Sequence, residues 1–415
     1  MFSLRRSKSY ITVLDIGTSK VCGFMAHIQS DNRPEIVGVG YAAAKGIKAG
    51  AISNLEKATE CISSVIGQIE RQAGRSVDSV TVNISSGQLR SRHLSKEVAL
   101  DNSRPITSAD IRHLVDSIIE TAVSGDEEVL HPFPSGYAID NEPGYNPDPR
   151  GLFANTLKAY VHVITIPETQ LRNLVMVLDR CHVSIDKKVA TPYASGLAVL
   201  TEEEKDVGAT VIDMGAGTTS YAQFMNGSLV HLGLVPKGGD AMTRDIAQIF
   251  STSPAEAERL KTREGAAFLS PRDEIDHVIV PMIGEEKETN KQVRRADLIQ
   301  VIVPQLEDIL EQVDQQLNKR ELFSVAARRI VLCGGGSELQ GIKEKTEAVL
   351  RANARLGKPH PIKSLPNQFD SYRFLTCIGL LKYVLSTATP KIGKQFDKPE
   401  KQKSRLRKVL QWLVK

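Results

Sequence analysis

Apolar residues in this chain follow two different periods, and the places where the period changes mark its elements. The run Ile11-Thr-Val-Leu-Asp15 is nearly continuous and partly β-branched, as in a strand buried on both faces. It closes on Asp15-Ile-Gly17-Thr-Ser-Lys20, and strand-like runs follow at 21–28 and 35–41 with a tight turn between them. The second half of the chain repeats the arrangement. There Ala209-Thr-Val-Ile-Asp213-Met-Gly215-Ala-Gly217-Thr-Thr-Ser220 leads into runs at 220–225 and 229–235, joined by Asn226-Gly227. Asn-Gly between apolar runs is the strongest short hairpin signal. A duplicated unit of strand, Asp-Gly loop and hairpin predicts two facing domains, each presenting a phosphate-binding loop to a ligand held between them.

The remaining pattern is mostly helical. Ser53-x-x-Glu56 reads as a capping box that opens a helix with Leu55, Ile62, Val65, Ile66 and Ile69 mostly on one face and Gly74 as its stop. A strand is expected at 79–84. Between 85 and 166 the character changes. A short helix at 107–123 is followed by a turn-rich segment with Pro132, Pro134, Pro143, Pro147 and Pro149, then a strand at 157–166. This segment is expected to be an inserted α+β subdomain. A helix at 167–181, a short strand around 183–186 and a helix at 193–200 lead to the second Asp-Gly unit.

Beyond it, Lys237-Gly-Gly-Asp240 opens a helix that reaches Phe250, and 254–263 continues helically. Residues 273–293 read as strands broken by the charged turn Gly284-Glu-Glu-Lys-Glu288. A long amphipathic helix is expected at 295–319, with Pro304 inside it as a possible kink. Ile330-Val-Leu-Cys333 is another buried-strand run, ending in Gly334-Gly-Gly336, with a helix from Gly341 and a last core helix at 373–385.

At 415 residues the length predicts about two to three domains, each large enough for a core. A net charge of +4 is too small to imply nucleic-acid binding. The cysteines at 22, 61, 181, 333 and 377 are far apart, odd in number and without a C-x-x-C pair. That points to a reducing compartment and away from a disulfide frame or zinc site. The basic start has no apolar region behind it, so no secretory signal is expected, and no window approaches the ~20 apolar residues of a membrane span.

A glycine after a strand lets backbone N–H groups turn toward a ligand, and Ser or Thr hydroxyls add donors, so such a loop can cradle phosphate oxygens. Two loops facing each other would grip a triphosphate from both sides. Asp15 and Asp213 before the glycines would hold Mg²⁺ through its waters, since magnesium dehydrates reluctantly. One Asp-Gly-Thr turn alone is most often an ordinary strand ending. Two copies with matching hairpins, and a third Gly-rich strand end at Gly334-Gly-Gly336, are far more specific; the third loop suits close approach to a flat base or ribose, or is a plain strand-to-helix turn.

The C-terminal end carries separate chemistry. Residues 386–404 are rich in Lys and Pro with almost no apolar content, which reads as a linker. On a helical wheel of 405–415, Leu406, Val409, Leu410, Leu413 and Val414 form one stripe. Arg405, Arg407, Lys408, Gln411 and Lys415 surround it, and Trp412 sits at the edge. That is the pattern of an interfacial helix with its apolar side in the acyl boundary and its cations toward anionic head groups. It is too short to span a bilayer; the alternative is a terminal helix docked on the core.

These residues resemble the actin-like ATPase superfamily, which includes actin, heat-shock chaperones and sugar kinases. Asp15-Ile-Gly-Thr-Ser looks like its first phosphate motif, Asp213-Met-Gly-Ala-Gly-Thr-Thr the second, and Gly334-Gly-Gly336-Ser the adenosine motif. Thr191-Pro-Tyr-Ala-Ser-Gly-Leu-Ala198 and Cys377-Ile-Gly-Leu-Leu381 look like the two connecting helices. Within the superfamily the chain resembles the FtsA family of bacterial division proteins. The insertion falls where that family carries its own subdomain, and 106–111 and 131–140 are similar to segments of it.

The resemblance implies an α/β, actin-like fold of two ribonuclease-H-like domains flanking a nucleotide cleft, with an inserted α+β subdomain and a C-terminal amphipathic helix. The expected division is 1–84, 167–200 and 371–385 for subdomain 1A and 85–166 for the inserted 1C. Subdomain 2A takes 201–243 and 330–370, 2B takes 244–329, and the linker and tail take 386–404 and 405–415. ATP and Mg²⁺ are the implied cofactors. The implied nucleotide contacts are Asp15, Gly17, Thr18, Ser19, Lys20, Gly215, Ala216, Gly217, Thr218, Thr219, Gly238, Gly239, Glu258, Lys261, Gly334, Gly335, Gly336 and Ser337. Taken alone, Glu258 and Lys261 would be an exposed pair on a helix.

The implied function is a cell division protein that polymerises on the cytoplasmic face of the inner membrane, anchors FtsZ by its C-terminal tail, and recruits later division proteins. Its membrane contacts would be Arg405, Leu406, Val409, Leu410, Trp412, Leu413 and Val414, on anionic lipid. FtsZ tails mix acidic and apolar residues, so Arg294 and Arg295 are candidate contacts, or else a solvated helix start. Efficient ATPases of the superfamily place an acid or amide near the start of the first connecting helix to position water. Here Thr191-Pro192-Tyr193 offers none, so Asp213 is expected to support slow hydrolysis at most. The alternatives are a small-molecule kinase on the same fold, or a pilus-assembly ATP-binding adaptor.

Overall fold

The first apolar run forms β1 (Tyr10–Ile16), and its neighbours form β2 (Lys20–Ile28) and β3 (Pro34–Ala43), an antiparallel meander. The computed structural model describes residues 9–29, 33–85, 88–123, 125–140, 148–283, 290–318, 328–359, 361–369 and 371–388. After a minimal hairpin of β4 (Ile47–Lys48) and β5 (Ala51–Ile52), helix α1 (Leu55–Ala73) lays Ile62, Val65, Ile66 and Ile69 on the sheet. Its N-cap is Asn54, whose side chain accepts from the Lys57 N–H, and not Ser53; the capping-box spacing was displaced by one residue. Gly74 ends it in the left-handed conformation.

Strand β6 (Ser79–Ile84) then pairs parallel with β1. The inserted segment builds a three-stranded sheet of its own from β7 (Arg90–Ala99), β8 (Glu127–Ile139) and β9 (Thr156–Pro167), covered by α2 (Ser108–Ala122). Here the structure corrects the turn-rich reading at Pro132 and Pro134, while Pro143 and Pro147 lie outside the described residues. Pro132 and Pro134 lie within β8, which among the described residues is an edge strand paired only with β9, irregular between Val129 and His131 and between Pro134 and Gly136. An edge strand with bulges tolerates residues that donate no ladder hydrogen bond. Strand β7 escaped notice because its residues are mostly polar and solvent-facing.

Helix α3 (Glu168–Arg180) returns to the first sheet, where β10 (Ser184–Ala190) pairs parallel with β6. The order is β10-β6-β1-β2-β3. Helices α4 (Thr191–Val199) and α5 (Glu202–Val207) lead to the second sheet. It begins with β11 (Ala209–Met214), β12 (Thr219–Met225) and β13 (Ser228–Val235); α6 (Gly239–Ile249), α7 (Pro254–Glu264) and a separate small hairpin, β14 (His277–Pro281) with β15 (Asn290–Arg294), follow. The long helix α8 (Arg295–Asn318) contains Pro304, and β16 (Arg329–Cys333), α9 (Ile342–Leu350), β17 (Asn353–Leu356) and α10 (Leu375–Ala388) complete the described chain.

The second sheet has the order β13-β12-β11-β16-β17, again a meander with two parallel strands added beside its first strand. The two sheets are therefore the same topology written twice. Helices α4 and α10 pack on each other, and their apolar residues share one core with Val13 and Phe24 of the first sheet and Val211 and Phe224 of the second. Lys382 on α10 donates to the Leu197 and Ala198 carbonyls at the end of α4, at 3.0 and 3.3 Å. Among the described residues no helix is long and apolar enough to cross a membrane. The expected charged turn at 284–288 and the expected helix at 405–415 lie outside the described residues.

Candidate functional site

Both central strands end in the same turn. On β1, Asp15 lies opposite Cys22 and the Gly17 N–H donates to the Lys20 carbonyl at 2.9 Å; on β11, Asp213 lies opposite Ser220 and the Gly215 N–H donates to the Thr218 carbonyl at 2.9 Å. Each carboxylate thus stands at the tip of the central strand of its sheet, just before a loop of N–H and hydroxyl donors. Topology does the rest: the parallel neighbour of each strand delivers a further group to the tip.

For Asp15 that group is Asn83, at the end of β6. Its amide donates to Asp15 Oδ1 at 2.7 Å and to Thr191 Oγ1 at 3.1 Å, and its oxygen accepts from the Ile16 N–H at 2.7 Å. For Asp213 it is Gly334, where β16 ends. Gly334 holds φ at +80°, and a Cβ there would stand 2.4 Å from Asp213 Oδ1, so the third loop requires glycine on both counts. The connecting helices anchor the other carboxylate oxygen. Ser195 of α4 donates to Asp213 Oδ2 at 2.5 Å, and Thr376 of α10 does so at 3.3 Å.

Both carboxyl groups are buried, at 4 % and 8 % exposure. Burial pushes the Asp15 carboxyl up to about 6; the ammonium of Lys20, 4.0 Å away, opposes this and the charge of Asp213 adds to it. Burial also raises Asp213, against the hydrogen bond from Ser195, the charge of Lys20 and the hydroxyl of Thr376. Two desolvated carboxylates share one nearby ammonium, so a divalent cation held near Asp15 and Asp213 would offset their negative charge.

The loops border a cavity of about 540 Å³. Of the residues anticipated from sequence, Asp15, Gly17, Thr18, Ser19 and Lys20 line it, with Gly215, Ala216, Gly217, Thr218, Thr219, Gly238, Gly239, Glu258, Lys261, Gly334, Gly335 and Gly336. Ser337 does not: it is 2 % exposed and its hydroxyl turns back to the Gly334 carbonyl at 2.7 Å. Glu258 and Lys261 are more than a helix-surface pair. The Lys261 ammonium donates to Glu258 at 2.6 Å, to the Gly239 carbonyl at 3.0 Å and to Thr243 Oγ1 at 2.8 Å, which fixes α7 against the first turn of α6. Thr219 Oγ1 is buried without a hydrogen-bond partner among the described residues.

Sequence reading missed Asn83, Thr191, Ser195 and Thr376, and also Glu338 and Arg373, whose ion pair at 2.8 Å borders the cavity. Ser195 and Thr376 were visible only as polar interruptions in apolar helices, and Asn83 as an amide at the end of an apolar strand. Arg294 and Arg295 do not line the cavity. Arg294 bridges Glu274 at 2.7 Å and Asp297 at 2.6 Å; Arg295 pairs with buried Asp273 and donates to the Glu264 carbonyl at 2.8 Å and Gln340 at 3.0 Å.

Comparison with known proteins gives one consistent result. The family model described as cell division protein FtsA matches residues 210–379, and that of the SHS2 domain inserted in FtsA matches 86–165. Cell division protein FtsA of Agrobacterium fabrum is 34% identical over 384 residues, covering 90% of this chain and 86% of the relative. That of Rhizobium meliloti is 33% identical over 416 residues, covering 97% and 94%. That of Escherichia coli K12 is 30% identical over 383 residues, covering 91% and 90%. Among solved structures, the PilM-PilN type IV pilus biogenesis complex aligns with TM-score 0.64 at 15% identity, over 92% of this chain and 99% of that one. MreB5 of Spiroplasma citri bound to ADP aligns with TM-score 0.55 at 13% identity, over 92% and 98%. These likenesses establish the actin-like fold.

Proposed function

The chain belongs to the FtsA family of cell division proteins, and from that premise we propose that it is a nucleotide-dependent scaffold that holds division filaments to the inner membrane. In this reading it binds Mg-ATP between its two loops, polymerises with copies of itself, and tethers FtsZ through the FtsZ C-terminal tail.

The observation that carries the nucleotide part is the convergence of two equivalent Asp-Gly turns, one from each sheet, on one cavity. The donor set fits a Mg-triphosphate. Loop N–H groups and the hydroxyls of Thr18, Ser19 and Thr218 would take phosphate oxygens, with Thr219 in the same loop and Lys20 adding charge. Asp15 and Asp213 would hold magnesium through its waters. Glu258 and Lys261 would contact the ribose and base, and Gly334, Gly335 and Gly336 would admit the adenosine face. Bound magnesium supplies positive charge to the phosphate oxygens; the chain's own residues bind, orient and exclude water.

Hydrolysis is expected to be slow. The first turn of α4 carries no acid, and the Asn83 amide is engaged by Asp15 and Thr191. ATP would then act chiefly as an assembly ligand, with Asp213 giving at most weak turnover. Arg294 is the more accessible candidate for the acidic FtsZ tail, with Arg295 beside it, and the inserted sheet would receive later division proteins. The stripe of Leu406, Val409, Leu410, Leu413 and Val414, with Arg405 and Trp412, would lie on anionic lipid as a peripheral anchor.

The test is co-sedimentation with anionic liposomes, with and without Mg-ATP, of the full chain and of a chain ending at Ser386. The expected result is that only the full chain pellets with vesicles. If neither does, the tether reading fails.

A further inference from the structure

Outside the cleft, three histidines distant in sequence converge where the inserted sheet meets the second sheet. His93 of β7 and His162 of β9 are cross-strand partners with rings stacked at 4.7 Å, and His231 of β13 approaches from the other side, 6.5 Å from His162 between ring centres. One ring nitrogen from each lies within 4.8 Å of the other two. His162 and His231 are buried, at 0 % and 8 % exposure, and His93 is exposed.

The hydrogen bonds orient these rings. His162 Nδ1 is 3.2 Å from the Leu229 carbonyl oxygen, which only accepts, so the proton sits on Nδ1 and the Nε2 lone pair faces inward, 2.7 Å from Ser91 Oγ. His231 Nδ1 faces the same hydroxyl at 2.9 Å while its Nε2 lies 3.2 Å from the Tyr221 hydroxyl. One nitrogen turned inward and the other steadied by a carbonyl or hydroxyl is how metal-bound imidazoles are held. Two such nitrogens point at Ser91, whose hydroxyl has a single proton. Without a metal, His231 must therefore carry its proton on Nδ1 for both contacts to be hydrogen bonds.

We propose that His93, His162 and His231 form a site for a borderline divalent ion of the zinc class, which clamps the inserted sheet to the second sheet. Imidazole suits zinc and its neighbours, and among the described residues no thiolate or carboxylate belongs to the cluster. A tetrahedral ion with bonds of about 2.1 Å needs nitrogens roughly 3.4 Å apart, so closing the cluster takes shifts of about an ångström and a turn of the Ser91 side chain. The Ser91 hydroxyl or a solvent oxygen completes four-coordination. Because the rings must be neutral to bind, metal binding releases protons and weakens as the pH falls. Isolated histidines in β-rich segments give no spacing signal, which is why the cysteine-based reading of the sequence found no such site.

Cobalt(II), whose visible spectrum reports coordination, and zinc are titrated into the metal-free full chain. The expected result is one equivalent of cobalt with an intense tetrahedral band and no thiolate charge-transfer band, displaced by zinc, together with a zinc-dependent rise in Tm. His93→Gln, at an exposed position, lowers affinity at least about tenfold and shrinks the Tm rise at a given zinc concentration, whereas Ser91→Ala retains binding. Absence of the band overturns the proposal. So does a weak octahedral spectrum unchanged by His93→Gln, which assigns the ion to the cleft carboxylates.

Discussion

Thr18 and Gly217 touch across the cleft: a Cβ placed on Gly217 would stand 2.7 Å from Thr18 Oγ1 and 3.0 Å from the Ala49 backbone. Thr18 is held in that position, its hydroxyl accepting from the Gly50 N–H at 3.0 Å. The two loops therefore meet directly, and their approach depends on the missing side chain. Gly217→Val should wedge them apart. Overpacking of this kind costs about 1–3 kcal/mol, which, if it falls on the bound state, corresponds to roughly 5- to 150-fold weaker nucleotide binding. Titration with a fluorescent ATP analogue checks it; an unchanged Kd would show that the contact does not govern the cleft.

Asp15 makes the ligand-free protein sensitive to acid in an unusual direction. Its carboxyl is raised from 3.8 to about 6 in the folded state. A raised folded value means that folding takes up a proton between the two values. Its contribution is complete below about pH 4 and is lost as pH rises through about 6. Asp15→Asn should therefore remove that decline and raise ligand-free stability at neutral pH while weakening Mg-ATP binding. Urea unfolding across this range is the measurement, and a wild-type pH profile superimposable on that of the variant would contradict it.

Ser195 bonds a buried carboxylate from inside an apolar helix. Removing one partner of such a pair leaves the other unsatisfied, so Ser195→Ala should cost about 1–3 kcal/mol. It should also raise the Asp213 carboxyl further. A denaturant midpoint equal to wild type would mean that Thr376 alone suffices.

Turnover of ATP by the pure protein should fall well below the ~1 s⁻¹ lower end of ordinary enzymes. The Asn83 amide is committed to Asp15 and Thr191, and α4 opens with Thr191-Pro192 in place of an acid. Phosphate release assayed with Mg-ATP decides this, and rapid turnover without any partner would require a water-positioning group other than these.

Much of the cleft was legible because its residues are consecutive. Asp15 to Lys20, Asp213 to Thr219 and Gly334 to Gly336 each occupy one loop, and their hairpins carry local signals such as Asn226-Gly227. Strands β7 and β8 were not legible, since an edge strand buries too little to show a period and tolerates Pro132 and Pro134.

What the sequence determined by itself was the duplicated strand, loop and hairpin, the order of the helices, and the identity of both cleft carboxylates, because each depends on neighbours along the chain. Tertiary structure alone decided that Asn83 would steady Asp15, that Ser195 and Thr376 would hold Asp213, and that His93, His162 and His231 would meet. Those groups come together through parallel pairing, helix packing and the seating of the inserted sheet. Such long-range contacts are fixed by burial of whole elements and leave no periodicity in the residues that make them.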